Sequence, residues 1–155
     1  MVKKILAAST LAATLAFTGC ASLESSLNTN SSTAIALQNT PWFATEVNGT
    51  KIQLDNPNRP TLSFDTDSKR FGGADGCNKI QGSYETKGQQ LSLGQIAGTL
   101  MACHGVQDTV SRQFNDALAK TDRYEIKGHE LKFLDKSGQT LVKFVTVIQP
   151  LPFKK

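Results

Sequence analysis

Between Thr40 and Ile148 the apolar residues fall into short clusters separated by turn chemistry. Trp42-Phe43-Ala44-Thr45-Glu46-Val47 runs into Asn48-Gly49, a dipeptide that suits a type I′ hairpin turn because both residues tolerate positive φ. Pro60-Thr61-Leu62-Ser63-Phe64 alternates, which puts Leu62 and Phe64 on one face of a strand, and Asp65-Thr66-Asp67-Ser68 supplies a turn after it. Arg70-Phe71-Gly72-Gly73 opens a glycine-rich stretch, and the Lys87-Gly88 turn lies between Gln81–Glu85 and Leu91-Ser92-Leu93. Tyr124-Glu125-Ile126, Leu131-Lys132-Phe133 and the run from Leu141 to Ile148 are parted by Gly128-His129 and by Asp135-Lys136-Ser137-Gly138. One segment has another period. Val106, Val110, Phe114 and Leu118 recur every four residues with Ala117 beside them, and Asp108, Arg112, Asn115 and Asp116 lie between. This predicts an amphipathic helix with that stripe turned to a core. About eight short strands and one helix predict an α+β domain: a curved, mostly antiparallel sheet, a small barrel or roll, with the helix packed on it. Trp42, Phe43, Phe64, Phe71, Tyr84, Phe133 and Phe144 are the expected core; the alternative is that some of them line a pocket for an apolar small molecule.

The N-terminal residues follow neither period. Met1-Val2-Lys3-Lys4 is a short positive segment, and Ile5 to Thr18 is an apolar run too short to span a bilayer. The run ends in Leu15-Ala16-Phe17-Thr18-Gly19-Cys20, which resembles the lipobox of bacterial lipoproteins. In that class the Cys thiol is diacylated, the peptide is cut before it, and the new amino group is acylated. The expectation is therefore a cleaved signal peptide over 1–19 and lipid attachment at Cys20, since several acyl chains anchor a protein stably where one does not. Ala21-Ser22 follows with no Asp; by resemblance to Gram-negative sorting signals this points to the outer membrane, facing the periplasm. Residues 20–38 read as the lipidated Cys and a Ser/Thr/Asn-rich flexible tether, whose coil reaches roughly 20–25 Å. Residues 39–155 are left as one domain, long enough for its own core.

The tether reading changes the charge. The 155-residue chain carries 17 Lys and Arg against 13 Asp and Glu. Lys3 and Lys4 leave with the signal, so 17 − 2 = 15 basic groups face the same 13 acidic ones, a net charge of +2 instead of +4. An excess that small and that scattered is no footprint for nucleic acid.

The glycine-rich stretch carries the most specific motifs. Gly73-Ala74-Asp75-Gly76-Cys77-Asn78, then Gly82-Ser83-Tyr84, Leu91-Ser92-Leu93 and Thr99-Leu100-Met101-Ala102-Cys103 together resemble the signature of the META domain, the family of the heat-shock lipoprotein HslJ. The resemblance extends over about 40–147, with Trp42 and Asn48-Gly49 before the signature, a helix after Cys103, and Leu131 and Gly138 in the closing hairpin. Gly73, Gly76, Asn78, Gly82, Tyr84, Thr99 and Met101 are its motif positions here, read as structural. Three places depart from the usual pattern: Ile80 where an aromatic residue is common, Leu100 where Arg is frequent, and His104-Gly105-Val106 where acidic residues often stand. The resemblance implies a compact β-rich binding module, without established catalysis or cofactor, associated with envelope stress and with tolerance of novobiocin-type antibiotics. The alternative is a chaperone- or pilot-like lipoprotein that docks an outer-membrane or secretion component.

Residue chemistry adds limits. The Gly72, Gly73 and Gly76 cluster marks a bulge or tight crossing better than a phosphate cradle, because no Gly-Lys-Ser/Thr opens a helix after it. Asn78 is expected to bond loop backbone through an Asx-type turn. Cys77 and Cys103 have three readings. A disulfide is the default outside the cytosol and, over about 26 residues, is worth roughly 3.5 kcal/mol in the chain-entropy model. The others are a reduced buried pair, and a metal or catalytic role with Asp75 and His104. The last lacks CxxC or HxxxH spacing, and no His is set to activate a nucleophile. His129 is expected in an exposed turn.

Overall fold

The computed structural model describes residues 35–146. The signal, Cys20 and residues 21–34 of the tether lie outside the described residues, as do 147–155. The elements are β1 (Trp42–Val47), β2 (Thr50–Lys51), β3 (Thr61–Phe64), β4 (Arg70–Ala74), β5 (Lys79–Lys87), β6 (Gln90–Gly98), α1 (Val106–Lys120), β7 (Arg123–Lys127), β8 (Glu130–Leu134) and β9 (Thr140–Val145).

The strands form one sheet in the order β2-β1-β3-β4-β5-β6-β7-β8-β9, and β9 pairs back onto β1. Every pairing is antiparallel. The result is the expected α+β fold, a strongly curved, ring-like sheet with one helix. It stops short of a fully bonded barrel at β6–β7, whose register holds the single pair Gln90 and Arg123. Two backbone bonds of 2.9 Å flank that pair, from Leu91 N–H to the Asp122 carbonyl and from Tyr124 N–H to the Gln89 carbonyl. The ninth strand is the two-residue β2, the return arm of the first hairpin. Its turn has φ of 46° at Asn48 and 82° at Gly49, both positive as type I′ requires. The next predicted turn moves by one residue: Lys87 pairs with Gln90, so Gly88 and Gln89 make it.

Strand alternation fills the ring. Trp42, Phe64, Phe71, Tyr84, Phe133 and Phe144 are all buried. Phe64 meets Tyr84 edge-on at 5.1 Å between centroids, and Phe133 meets Phe144 at 4.9 Å. Each such side chain contributes about 1.5–3 kcal/mol on burial. Phe43 departs from the expected core. It falls between Trp42 and Ala44, so the pleat turns it outward, where the Arg59 guanidinium stacks on it at 4.3 Å.

The two ends of the ring differ. At one end the chain enters: Asn39 N–H bonds the Phe64 carbonyl at 2.8 Å, and buried Leu37 accepts the Trp42 indole N–H at 2.9 Å. Leu37 thus packs into the domain from within the stretch read as tether. At the other end lies α1, which buries Phe114, Ala117 and Leu118 and sets Phe114 against Phe144 at 6.0 Å. The predicted stripe is trimmed at its start. Val106 is 77% exposed, being the first helical residue, placed before the helix reaches the sheet.

Candidate functional site

The loop joining β4 to β5 is Asp75-Gly76-Cys77-Asn78. Asp75 is 1% exposed. Its Oδ1 accepts the N–H of Cys77 at 2.8 Å and of Asn78 at 2.6 Å, an Asx turn, and its own N–H donates to the Asn78 carbonyl at 3.0 Å. Its Oδ2 accepts Nδ2–H of Asn115 from α1 at 2.7 Å, and that amide also donates to the Ser111 carbonyl at 2.9 Å. Burial pushes the Asp75 carboxyl up, but the Asn78 N–H, the Ser111 hydroxyl, the Cys77 N–H and the Asn115 amide outweigh it and hold its pKa below the ordinary carboxylate value. A buried carboxylate persists only when bonded in this way.

Asn78 faces the other side. Its Oδ1 accepts the Met101 N–H at 2.8 Å and the Thr99 hydroxyl at 3.2 Å, while the Thr99 hydroxyl oxygen accepts the Lys79 N–H at 3.2 Å. The Thr99 N–H donates to the Lys79 carbonyl at 3.0 Å. A disulfide joins Cys77 to Cys103, 26 positions apart, with Cα atoms 6.0 Å apart. Asp75 therefore makes the Asx turn expected of Asn78, and Asn78 instead receives the segment after β6. Two glycines let the backbones meet. A Cβ on Gly73 would overlap the Thr61 carbonyl; Gly76 has φ of 102°, and a Cβ there would sit 3.1 Å from the Asn58 carbonyl oxygen and 3.3 Å from Val110 Cγ1.

The fold thus gathers Gly73, Gly76, Cys77, Asn78, Thr99, Met101 and Cys103 at the α1 end. It leaves Gly82 and Tyr84 in the ring wall: Gly82 lies beneath the Phe71 ring, and the Tyr84 hydroxyl donates to the Asp65 carbonyl at 3.0 Å. Burial raises the Tyr84 pKa. Sequence reasoning gives Asp75 only as a candidate metal or catalytic partner, not as the residue that organises the loop, and it misses Ser111 and Asn115. Asp75 stands two residues before Cys77, the spacing of an Asx turn, but Ser111 and Asn115 carried no signal beyond their place on a helix.

Both sulfurs of the loop cluster are consumed by the disulfide, so this pair offers no thiolate. Among the described residues no group of three or more His, Cys, Asp or Glu is placed to hold a metal ion. His104 and His129 are exposed, the latter in the β7–β8 turn. The clefts are open and at the surface. One of about 490 Å³ is lined by Glu85, Lys87, Asp122 and Lys136, and one of about 430 Å³ by Gly73, Ile80, Gly98 and Thr99. The Asn78 bonds and the disulfide hold the segment after β6 against the β4–β5 loop, and on that segment Leu100 is 101% exposed and Met101 63%.

The META domain model matches residues 35–147, the whole described domain with its glycine-cysteine loop and α1. The chain belongs to the META domain family. This META domain also resembles solved structures. A Burkholderia xenovorans protein solved by NMR is 26% identical, with a TM-score of 0.60 over 73% of this chain and 85% of that one. A second protein solved by NMR is 22% identical, with a TM-score of 0.57 over 70% and 90%. A DUF4847 family protein from Bacteroides vulgatus is 15% identical, with a TM-score of 0.52 over 74% and 96%, which shows shared fold alone. No curated protein matches the chain.

Proposed function

We propose that this chain is an envelope lipoprotein, anchored through Cys20 at the outer membrane, whose META domain acts by surface contact without catalysis in envelope stress or tolerance of novobiocin-type antibiotics. The observation that carries the surface reading is the ring interior. Trp42, Phe64, Phe71, Tyr84, Phe114, Phe133 and Phe144 fill it, and the clefts described above are open to solvent. An apolar small molecule is ordinarily held in a concave, mostly enclosed site. The packing therefore favours docking of another envelope component over carriage of such a ligand. The anchor is supported by the lipobox-like Thr18-Gly19-Cys20 and by a disulfide suited to an oxidising compartment. No helix among the described residues is long and apolar enough to cross a membrane.

Native mass spectrometry of the chain taken from envelopes tests this. The expected mass is that of a chain beginning at an acylated Cys20, with no stoichiometric small molecule. An unmodified N-terminus overturns the anchor, and a stoichiometric apolar ligand overturns surface docking in favour of an enclosed site.

A further inference from the structure

The disulfide lies outside the core of the ring. Cys77 and Cys103 are each half-buried, and Ala102, His104, Gly105 and Val106 around Cys103 are exposed. Exposed disulfides are the labile and regulatory kind, because an attacking thiolate must reach one of the sulfurs. The flanking sequence sets no negative charge against that approach. Between Lys87 and Asp108 the chain has no Asp or Glu, and the Asp75 carboxylate is buried with both oxygens bonded.

What the disulfide holds is narrow. Thr99 bonds Lys79 and Met101 bonds Asn78, so the segment after β6 is fixed that far without it. Beyond Met101 the hydrogen bonds are local: the Cys103 N–H turns back to the Met101 carbonyl at 3.1 Å, and the Gly105 carbonyl serves Thr109. The first turn of α1 is as weakly held. Its N-cap is Gly105, at φ 65° and ψ −130°, with no side chain to bond the free N–H groups. Val106, Gln107 and Thr109 are exposed, and Asp108 pairs with Arg112 of the same helix. Val110, which borders Gly76, and buried Phe114 hold the helix from its second turn. Among the described residues, the disulfide is thus the one bond, covalent or hydrogen, that ties 102–109 to the β4–β5 loop or the ring.

We propose that Cys77–Cys103 is a thiol–disulfide exchange site for a CxxC-type protein dithiol, and that its reduction releases residues 102–109 while the ring stays folded. The inference goes beyond the surface-docking reading and needs neither the anchor nor a docking partner. In the first step a thiolate of the dithiol bonds to one sulfur, the S–S bond breaks, and the electron pair stays on the other sulfur, which takes up a proton. The second thiol of the reductant then loses its proton and displaces the first. Cys77 and Cys103 end as thiols and the reductant as a disulfide, with two electrons and two protons transferred. The ring survives this because its aromatic interior uses neither sulfur, and the Asp75 and Asn78 bonds remain.

The probe is a thioredoxin-type protein whose CxxC is changed to CxxS, so that the mixed disulfide cannot resolve. It is mixed with the full oxidised chain in native buffer, and the freed thiol is blocked with N-ethylmaleimide. The expected product is a one-to-one adduct that peptide mass places on Cys77 or Cys103. With the intact CxxC protein, reduction should run at an unchanged rate in Phe133→Leu, whose ring is less stable. Exchange through the unfolded chain would instead speed up in step with that loss of stability. An adduct that forms only in denaturant, an adduct confined to Cys20, or a rate that rises in Phe133→Leu overturns the exchange site. NMR of the reduced chain tests the release. Heteronuclear NOE values should fall for 102–109, stay the same in the ring strands, and recover on reoxidation. Residues 102–109 as ordered as before, or loss of the ring's dispersed spectrum, overturns it.

Discussion

The interior of the ring and the knotted loop end are stabilised by different physics. The interior is made of side chains that alternate along strands. Phe64, Tyr84, Phe133 and Phe144 touch edge-on and need only apolar neighbours of the right volume. The loop end has few apolar contacts of its own. It depends on one carboxylate, two side-chain amides, one disulfide and two glycines, each in a fixed place. The interior tolerates conservative exchange and specifies the fold. The loop end tolerates little and specifies the position of a few exposed side chains.

The largest expected effect comes from breaking the first region. Phe133→Ala, at a position 0% exposed and in contact with Phe64 and Phe144, should cost about 3–5 kcal/mol in urea denaturation. The loss should be global, with loop and ring unfolding in one transition. Next comes the disulfide. Replacing Cys77 and Cys103 by Ser should cost roughly 3.5 kcal/mol, chiefly through the unfolded chain. Here the regions should part company. The Asp75 and Asn78 bonds remain in the double variant, so amide exchange should show the 99–105 segment opening locally, while the ring strands lose only the protection that the lower global stability removes. A 99–105 segment that loses no more protection than the ring strands would mean that it does not open apart from the ring and that the contrast drawn between the two regions is wrong.

That contrast also explains what was legible in the sequence. Leu62 and Phe64 on one face, the Asn48-Gly49 turn and the four-residue stripe of α1 are all local periodicities, and periodicity is what burial writes into a chain. Even the misplacements are local: Phe43 points outward by the alternation that turns Trp42 inward, and Val106 belongs to the stripe but precedes the contact. The loop end was legible only as a family motif and a cysteine pair. Its organiser, Asp75, is bonded by Asn115, 40 positions later. No local pattern encodes a bond of that separation, and Asn115 among Asp108, Arg112 and Asp116 looks like any solvent-facing residue. Its Nδ2–H turned inward is a consequence of where the helix lies on the ring, and that is a tertiary fact.

The smallest effect is also the most specific. Asp75→Asn keeps the volume and one acceptor, but either amide rotamer sets an NH2 against a donor already in place, the loop N–H groups or the Asn115 amide. The expected cost near pH 7 is on the order of 1–3 kcal/mol. Its pH dependence identifies the cause. The folded pKa of Asp75 lies below its unfolded value, so the carboxylate's contribution is fully present above the unfolded pKa and is lost as pH falls through the folded one. The stability gap between the parent chain and Asp75→Asn should therefore be flat from neutral pH down to about pH 5 and close at lower pH. Asp65 and Asp135 are also held below their ordinary values, by bonds from Ser68 and Ser137, and give the parent chain the same acid sensitivity. Both are retained in the variant, so the difference between the two curves isolates Asp75. A gap that stays constant into acid would show that the carboxylate charge is irrelevant and that shape alone holds the loop.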